Sequence, residues 1–256
     1  MAALGHGEKK EAAMKNVVAL FAAVLLSFSA RAALALTVDA LPTSGGELKI
    51  GLVGHGSLYF EYQGKIIQVD PWSKVGDYAS LPKADLVLIT HEHRDHLDPD
   101  AMALTAKPGA PVVANVTAGP KIPGAKILKN GESAEVAGFR IQAVPAYNVA
   151  HRRPEGQHYH PKGEGNGYVI TFGDKRVYVA GDTEDVPEMA AIENVDVAFL
   201  PMNLPYTMTP EMVSKAARMH KPKVLYPYHT GETDVTLLPP LLADSPWIEV
   251  RLRPMK

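Results

Sequence analysis

The chain has 256 residues, 46% of them hydrophobic, and a formal net charge of −2. That content suffices for a buried core, and the near-neutral balance argues against nucleic acid or an anionic membrane as an obligatory partner. There is no cysteine, which excludes disulfides, thiolate metal sites and cysteine nucleophiles.

The first 35 residues read as a removable leader. Residues 1–13 are polar and can precede the true start, because Met14 and Lys15 open a better signal: an apolar stretch from Val17 to Phe28, then small residues. Ala30-Arg31-Ala32 and Ala33-Leu34-Ala35 both offer an exit site. The apolar stretch is short for a membrane-spanning helix. The expectation is an exported, periplasmic protein with no stable membrane insertion after cleavage. The remaining chain, about 220 residues, is one domain by length. Residues 36–47 are expected to be a linker and 48–256 the folded domain.

From Leu48 the pattern turns to short strands: "LKIGLVG", "SLYFEYQ" and "KIIQVDP", with Gln63-Gly64 as a tight turn. "ADLVLITH" is a continuous apolar run, as expected of a strand buried on both faces. Asp98 to Ala106 is expected to be a helix with Asp98 as its N-cap. "PVVAN", "AKILKN" and "FRIQAVPAY" supply further strands. A loop rich in His, Pro and Gly runs from Asn148 to Asn166; a loop this long is usually functional or disordered. "GYVITFGDKRVYVAGD" reads as a hairpin turning at Gly173-Asp174. Val186 to Asn194 is expected to be helical, "VDVAFLPM" a buried strand and Pro210 to His220 an amphipathic helix. "KVLYPYH", a last helix from Asp234 to Leu242 and a closing strand "WIEVRLRP" complete the chain. Strands first, then strands alternating with helices, suggest two sheets packed face to face with helices outside.

Chemistry concentrates in "THEHRDHLD", where His91, His93, Asp95 and His96 follow the buried run "LVLI". Neutral imidazoles and carboxylates are ligands for a divalent ion such as zinc. The H-x-H spacing can turn two rings to one side, and Asp95-His96 can face a second ion beside the first. Glu92 and Arg94 are expected to face away. Other ligands should also sit at strand ends. Asp182 in "VAGDTED" can bridge two ions through its two oxygens, or cap a turn. His229 ends "VLYPYH". In the long loop, His160 in the rigid "HPKG" is favoured as a further ligand. His151 and His158 can contact substrate or stay solvated. His220 is expected to be a cation at a helix end. His55, in a glycine turn, can orient a ligand, donate a proton or serve only the turn. Asp70 can orient a ligand histidine or close an Asx turn before Pro71. Arg152, Arg153 and Lys162 can meet an anionic group or remain solvated. Tyr206 and Met208 of "NLPYTM" can line a pocket or pack in the core.

Taken together, "THEHRDHLD", "VYVAGDTEDVPEM", "AFLPMNLPYTM" and "YPYHTG" resemble the metallo-β-lactamase-fold metal-dependent hydrolases. Within them the chain is similar to the branch of ascorbate-6-phosphate lactonase-like proteins, which also holds the phospholipase D acting on N-acylphosphatidylethanolamine. The likeness covers nearly everything from Leu48 onward. It implies an α/β fold, a four-layer αβ/βα sandwich with metals at one edge of the two sheets. It also implies one metal on His91, His93 and the loop histidine, and another on Asp95, His96 and His229, with Asp182 between. One departure stands out. Many relatives place the loop ligand directly after "VPA" and an aromatic residue, where this chain has Asn148. Either His160 replaces it, or the first metal has fewer ligands.

The implied activity is a zinc-dependent hydrolase with two ions, manganese or iron being chemically acceptable to the same ligands. Hydroxide generated at the metals would attack an ester, lactone, amide or phosphodiester bond of a small-molecule substrate. Asp95 and His55 are the candidate catalytic residues, and Asn148, His151, His158 and Tyr206 the candidate substrate contacts. A phosphodiesterase or phospholipase D-like enzyme is the narrower reading, and a non-catalytic exported metal-binding protein the other. The sequence carries no signal for oligomeric state.

Overall fold

Two seven-stranded sheets of the same design carry everything else. The computed structural model describes residues 36–255. The leader assigned to residues 1–35 lies outside them. The first sheet runs in chain order: β1 (Thr37–Thr43), β2 (Gly46–Gly54), β3 (Ser57–Tyr62), β4 (Lys65–Val69), β5 (Leu86–Ile89), β6 (Val112–Ala114) and β7 (Lys126–Ile127). Strands β1 to β4 pair antiparallel, and β4 to β7 pair parallel. The second sheet holds β8 (Ser133–Val136), β9 (Phe139–Ala146), β10 (Gly165–Phe172), β11 (Lys175–Val179), β12 (Val197–Pro201), β13 (Val224–Tyr228) and β14 (Glu249–Val250). It too begins antiparallel and becomes parallel from β11 onward. The result is the expected αβ/βα sandwich.

Hairpins need only short turns, whereas parallel neighbours need crossovers. The helices therefore fall in the parallel halves. α1 (Pro99–Thr105) starts at Asp98, whose carboxylate accepts from the backbone N–H groups of Asp100 and Ala101. α2 (Pro210–His220) is capped by Thr209. Its buried side, including Val213, Ala216 and Ala217, packs on the outer face of the second sheet with Tyr178, Ala198 and Leu225. Between the sheets the core is aliphatic and aromatic, with Phe60 on β3 meeting Phe172 on β10 at 5.4 Å between ring centres.

Several expectations need correction. Residues 37–43, expected to be linker, form β1, paired with β2 from Thr37–Leu52 to Thr43–Gly46. The segment alternates half-buried and exposed positions as an edge strand does, with no run of buried residues to signal it. Val186 to Asn194 forms only a 3-10 turn at Pro187–Ala191. The last helix reduces to a 3-10 turn, Val235–Leu237, and the single turn α3, Leu238–Leu241. Prolines at 239 and 240 remove two amide donors there. The closing strand shrinks to Glu249–Val250. Among the described residues no helix is long and apolar enough to cross a membrane.

His220 is also not the helix-end cation expected of it. It is 5% exposed and packs edge-on against the Tyr178 ring at 5.4 Å. Burial drives its pKa down to about 4, so the ring is neutral at pH 7. A histidine with a depressed folded pKa costs nothing above its unfolded value near 6.5. Stability falls as pH drops from there towards 4, because the unfolded chain takes up a proton that the native state refuses. The shift corresponds to about 3 kcal/mol. Denaturant unfolding at pH 7 and pH 4.5 should therefore show a smaller loss of stability on acidification in His220→Phe than in the natural chain. Equal losses would show that His220 does not charge on unfolding.

Candidate metal centre

Parallel strands deliver their C-terminal ends to one edge of the sandwich, and the candidate ligands stand there. Thr90 and His91 follow β5, Asp182 follows β11, Asn203 follows β12 and His229 follows β13. His55 occupies the turn between β2 and β3, and Asp70 follows β4. The two sheets are tied beneath the site. Tyr168 Oη donates to the Ile89 carbonyl at 2.7 Å, and the amide of Asn166 donates to the Thr90 carbonyl at 3.0 Å. The His229 amide donates to the His55 carbonyl at 2.9 Å. His55, Asp70 and His229 have φ of 52°, 44° and 47°. Such backbone costs energy in a non-glycine residue and persists where the surroundings enforce it. Gly56 shows why one position tolerates no side chain: a Cβ there would lie 2.9 Å from His96 Cε1.

The side chains form two adjoining groups. His91, His93 and His160 make one; His55, Asp95, His96 and His229 make the other. In the first, His91 Nε2 and His93 Nδ1 face one another at 3.0 Å. Asp182 lies between the groups. Its Oδ2 is 3.2 Å from His160 Nε2 and 3.9 Å from His91 Nε2, while its Oδ1 is 3.5 Å from both His96 Nε2 and His229 Nε2. Asp95 Oδ2 stands 3.6 Å from His96 Nε2, 3.6 Å from His229 Nε2 and 3.0 Å from His55 Nε2. The structure thus brings together every residue that the sequence named as a ligand, with His55 beside them.

The opposite nitrogens of the rings are held from behind. His96 Nδ1 donates to Asp70 Oδ2 at 2.8 Å. Thr90 Oγ1 donates to the same oxygen at 2.6 Å and lies 3.0 Å from His91 Nδ1. One buried carboxylate therefore orients both rings, which is one of the two roles open to Asp70 from the sequence. His160 Nδ1 donates to Asn148 Oδ1 at 2.8 Å, and His229 Nδ1 lies 3.3 Å from the Asn203 amide. These contacts turn the Nε2 atoms of His91, His96 and His160 inward.

Electrostatics follow from this packing. Burial and the neighbouring His96 push the His91 pKa well below the usual histidine value. For His96 burial acts the same way, but the carboxylates of Asp182 and Asp70 outweigh it and push the pKa up to about 10. Burial would raise the Asp182 pKa; His229 and His96 overcome it and hold the carboxyl well below its usual value. Asp95 is likewise lowered, the imidazoles of His229 at 3.6 Å and His55 at 3.0 Å outweighing burial. Both acids are ionised. His96 Nε2, His160 Nε2, His229 Nε2 and Asp182 Oδ1 are buried without a hydrogen-bond partner. Leaving such groups unpaired costs about 1–3 kcal/mol each. Four orphaned donor atoms aimed into one place fit a divalent cation.

Other site residues fall differently from expectation. Asn148 is 2% exposed and does not line the cavity. Its amide nitrogen donates to Glu184 Oε1 and to the Tyr206 carbonyl, and its oxygen receives His160. It holds His160 and does not face the cavity: where the departure lies, His160 brings an imidazole beside His91 and His93, and Asn148 places it. His151 lies against Glu184 at 2.8 Å, and His158 Nδ1 lies 3.2 Å from the His151 carbonyl, so neither reaches the cavity. Tyr206 does line it. So does Arg94, expected to face away; alternation holds along a strand, but here the chain is already turning. Glu184 was missed by sequence reasoning. It is fully buried and accepts from the amides of Val149, Ala150 and His151, fixing the loop that carries His160. Its position two residues after Asp182 was the available signal.

The cavity over the two groups has a volume of about 420 Å³. A larger groove, about 580 Å³, lies at the N-terminal ends of β12 and β13 among Asp196, Lys221 and Lys223, away from the ligand set.

Comparison with known proteins agrees with this geometry. A family model described as a beta-lactamase superfamily domain matches residues 49–229. A UPF0173 metal-dependent hydrolase of Thermococcus onnurineus is 32% identical over 212 residues, covering 77% of this chain and 88% of the relative. The crystal structure of a protein of Parabacteroides distasonis assigned as a metal-dependent hydrolase is 47% identical, with a TM-score of 0.82 over 86% of this chain and 100% of that one. A metallo hydrolase of Ignicoccus hospitalis is 27% identical, with a TM-score of 0.66 over 82% and 96% of the two chains. The chain belongs to the metallo-β-lactamase superfamily, in its UPF0173 family of metal-dependent hydrolases.

Proposed function

We propose that the protein uses a pair of divalent ions, zinc foremost, to hydrolyse an ester, lactone, amide or phosphodiester bond of a small molecule. The observation that carries this reading is the set of orphaned donor atoms on His96, His160, His229 and Asp182, converging below an open cavity. His91, His93 and His160 would hold one ion, and Asp95, His96 and His229 the other, with Asp182 offering an oxygen to each. Bound there, such ions would supply Lewis acidity and would lower the pKa of coordinated water to about 7.

The chain's own residues do the rest. Asp95, a third exposed and ionised, faces the cavity and is placed to accept a proton from attacking solvent. His55 fixes the direction of that carboxylate through its Nε2 contact at 3.0 Å. The ring is held in turn by Trp72 at 4.8 Å and His229 at 3.7 Å. Burial keeps the His55 pKa below its usual value, so it acts as a neutral group. The lactonase-like and phospholipase D-like resemblance supports a phosphodiester or lactone among the candidate bonds. The leader-like composition of residues 1–35 supports action outside the cytoplasm.

Asp95→Ala and His96→Ala should each abolish hydrolysis in a screen of p-nitrophenyl esters, lactones and bis-p-nitrophenyl phosphate, with circular dichroism unchanged. Chelation should do the same to the natural protein. Activity near the natural level in either variant contradicts the reading. Absence of turnover on every substrate despite two bound ions favours a non-catalytic metal-binding protein. Asp70→Asn should lower metal affinity or activity by about 10–100-fold, because it releases two ligand rings without removing a ligand; an unchanged titration would show that Asp70 is not needed to orient them. Metal uptake should also release protons at pH 7. His96, with its raised pKa, carries a proton that Nε2 must lose, so affinity falls as pH falls. Calorimetry in buffers of different ionisation enthalpy measures that release, and a buffer-independent enthalpy would contradict it.

A further inference from the structure

Two exposed arginines, Arg94 and Arg153, line the cavity together with Asp95 and Asp182. The carboxylates are engaged with imidazoles. The arginines have no acidic partner among the described residues. Arg218 pairs with Asp244, Arg251 with Glu249 and Arg253 with Asp39, whereas Arg140 and Arg176 resemble the two cavity arginines in pairing with no acid among the described residues. The other cations of the long loop are also committed. Lys162 bonds Glu188 and Tyr147, and Arg152 donates to the Gly156 carbonyl.

Arg153 is built into place. Its amide donates to the Gln157 carbonyl at 2.7 Å, its carbonyl accepts from Gly156, and Arg152 bridges His158 across the small turn. Its guanidinium lies 5.1 Å from the centre of the Tyr159 ring. Tyr159 meets Tyr206 edge to face at 5.0 Å, and the Tyr206 carbonyl is held by Asn148, which also holds His160. A guanidinium held against an aromatic ring keeps its N–H edge free, and that edge matches two oxygens of a carboxylate or phosphate.

We propose that the substrate carries an oxyanion group beside the bond to be cleaved, and that Arg153, assisted by Arg94, binds it. This rests on the hydrolase reading above. Tyr159 is the positioning residue for Arg153, and Tyr206 braces Tyr159. The two tyrosines also offer an apolar wall to the part of the substrate that bears the anion. The recognised chemistry is shared by carboxylates and phosphate monoesters or diesters.

The test is calorimetric binding of phenyl phosphate and of phenylacetate to the metal-loaded protein, its Arg153→Met and Arg94→Met variants, and Arg152→Met as control. Loss of a charge-assisted pair should weaken binding about ten- to a hundredfold in Arg153→Met, less in Arg94→Met, and not in Arg152→Met. The preferred probe tells phosphate from carboxylate. Equal affinity in Arg153→Met and the natural protein means that the anion sits on the metals alone and overturns the proposal. Failure of both probes to bind the natural protein also overturns it. A kinetic arm separates this idea from the reading beneath it. Neutral esters cleaved as fast as anionic ones, with Arg153→Met unchanged, would leave the hydrolase standing and the anion site refuted. Arginine-dependent binding without hydrolysis of any substrate would do the reverse.

Discussion

The structure depends on one constraint: imidazole and carboxylate groups buried at a sheet edge need something to bind. Water satisfies such groups at a surface, but His96, His160, His229 and Asp182 are each 5% exposed or less. Their inward nitrogens and oxygen lack partners, while the nitrogens behind them are anchored to Asp70, Asn148 and the Asn203 amide. An arrangement fixed from behind and unpaired in front suits a cation. The left-handed backbone at His55, Asp70 and His229 places one of these residues and two of their neighbours at some cost in conformational energy.

The fold exists to bring those groups together. Parallel strands end where their side chains are least committed to the ladder, and the residues after β4, β5, β11, β12 and β13 all reach the same edge. The sandwich core holds the two halves at fixed distance. Tyr168, reaching from β10 to the end of β5, and the His229–His55 backbone bond transmit that fixity to the ligands. The loop that carries His160 is fixed as well, by Glu184, which gathers three amides around one carboxylate.

Much of this was legible in the sequence, for physical reasons. H-x-H-x-D-H after a buried run is hard to explain otherwise, and Asp182 and His229 stand at the ends of apolar strands as ligands must. His160 was reached through the stiffness of His-Pro-Lys-Gly, and the structure places it beside His91 and His93. What escaped were contacts with no mark in the local sequence pattern. Asn148 reads as a pocket residue until its partners at 160, 184 and 206 are seen. Glu184 has only its place two residues after Asp182 to mark it, because the amides that stabilise this buried acid come from a loop over thirty residues away. Arg94 was misplaced because strand alternation was extended into a turn. Strand β1 was lost because a half-exposed edge strand has little hydrophobic pattern.

The most direct test of the central claim is anomalous diffraction from crystals of the purified protein, collected on either side of the zinc, iron and manganese edges. The account predicts two peaks about 3.5–4 Å apart, one among His91, His93 and His160 and one among Asp95, His96 and His229. Asp182 should lie between them. Diffraction that shows no anomalous peak at either group, from protein supplied with all three metals, would contradict it.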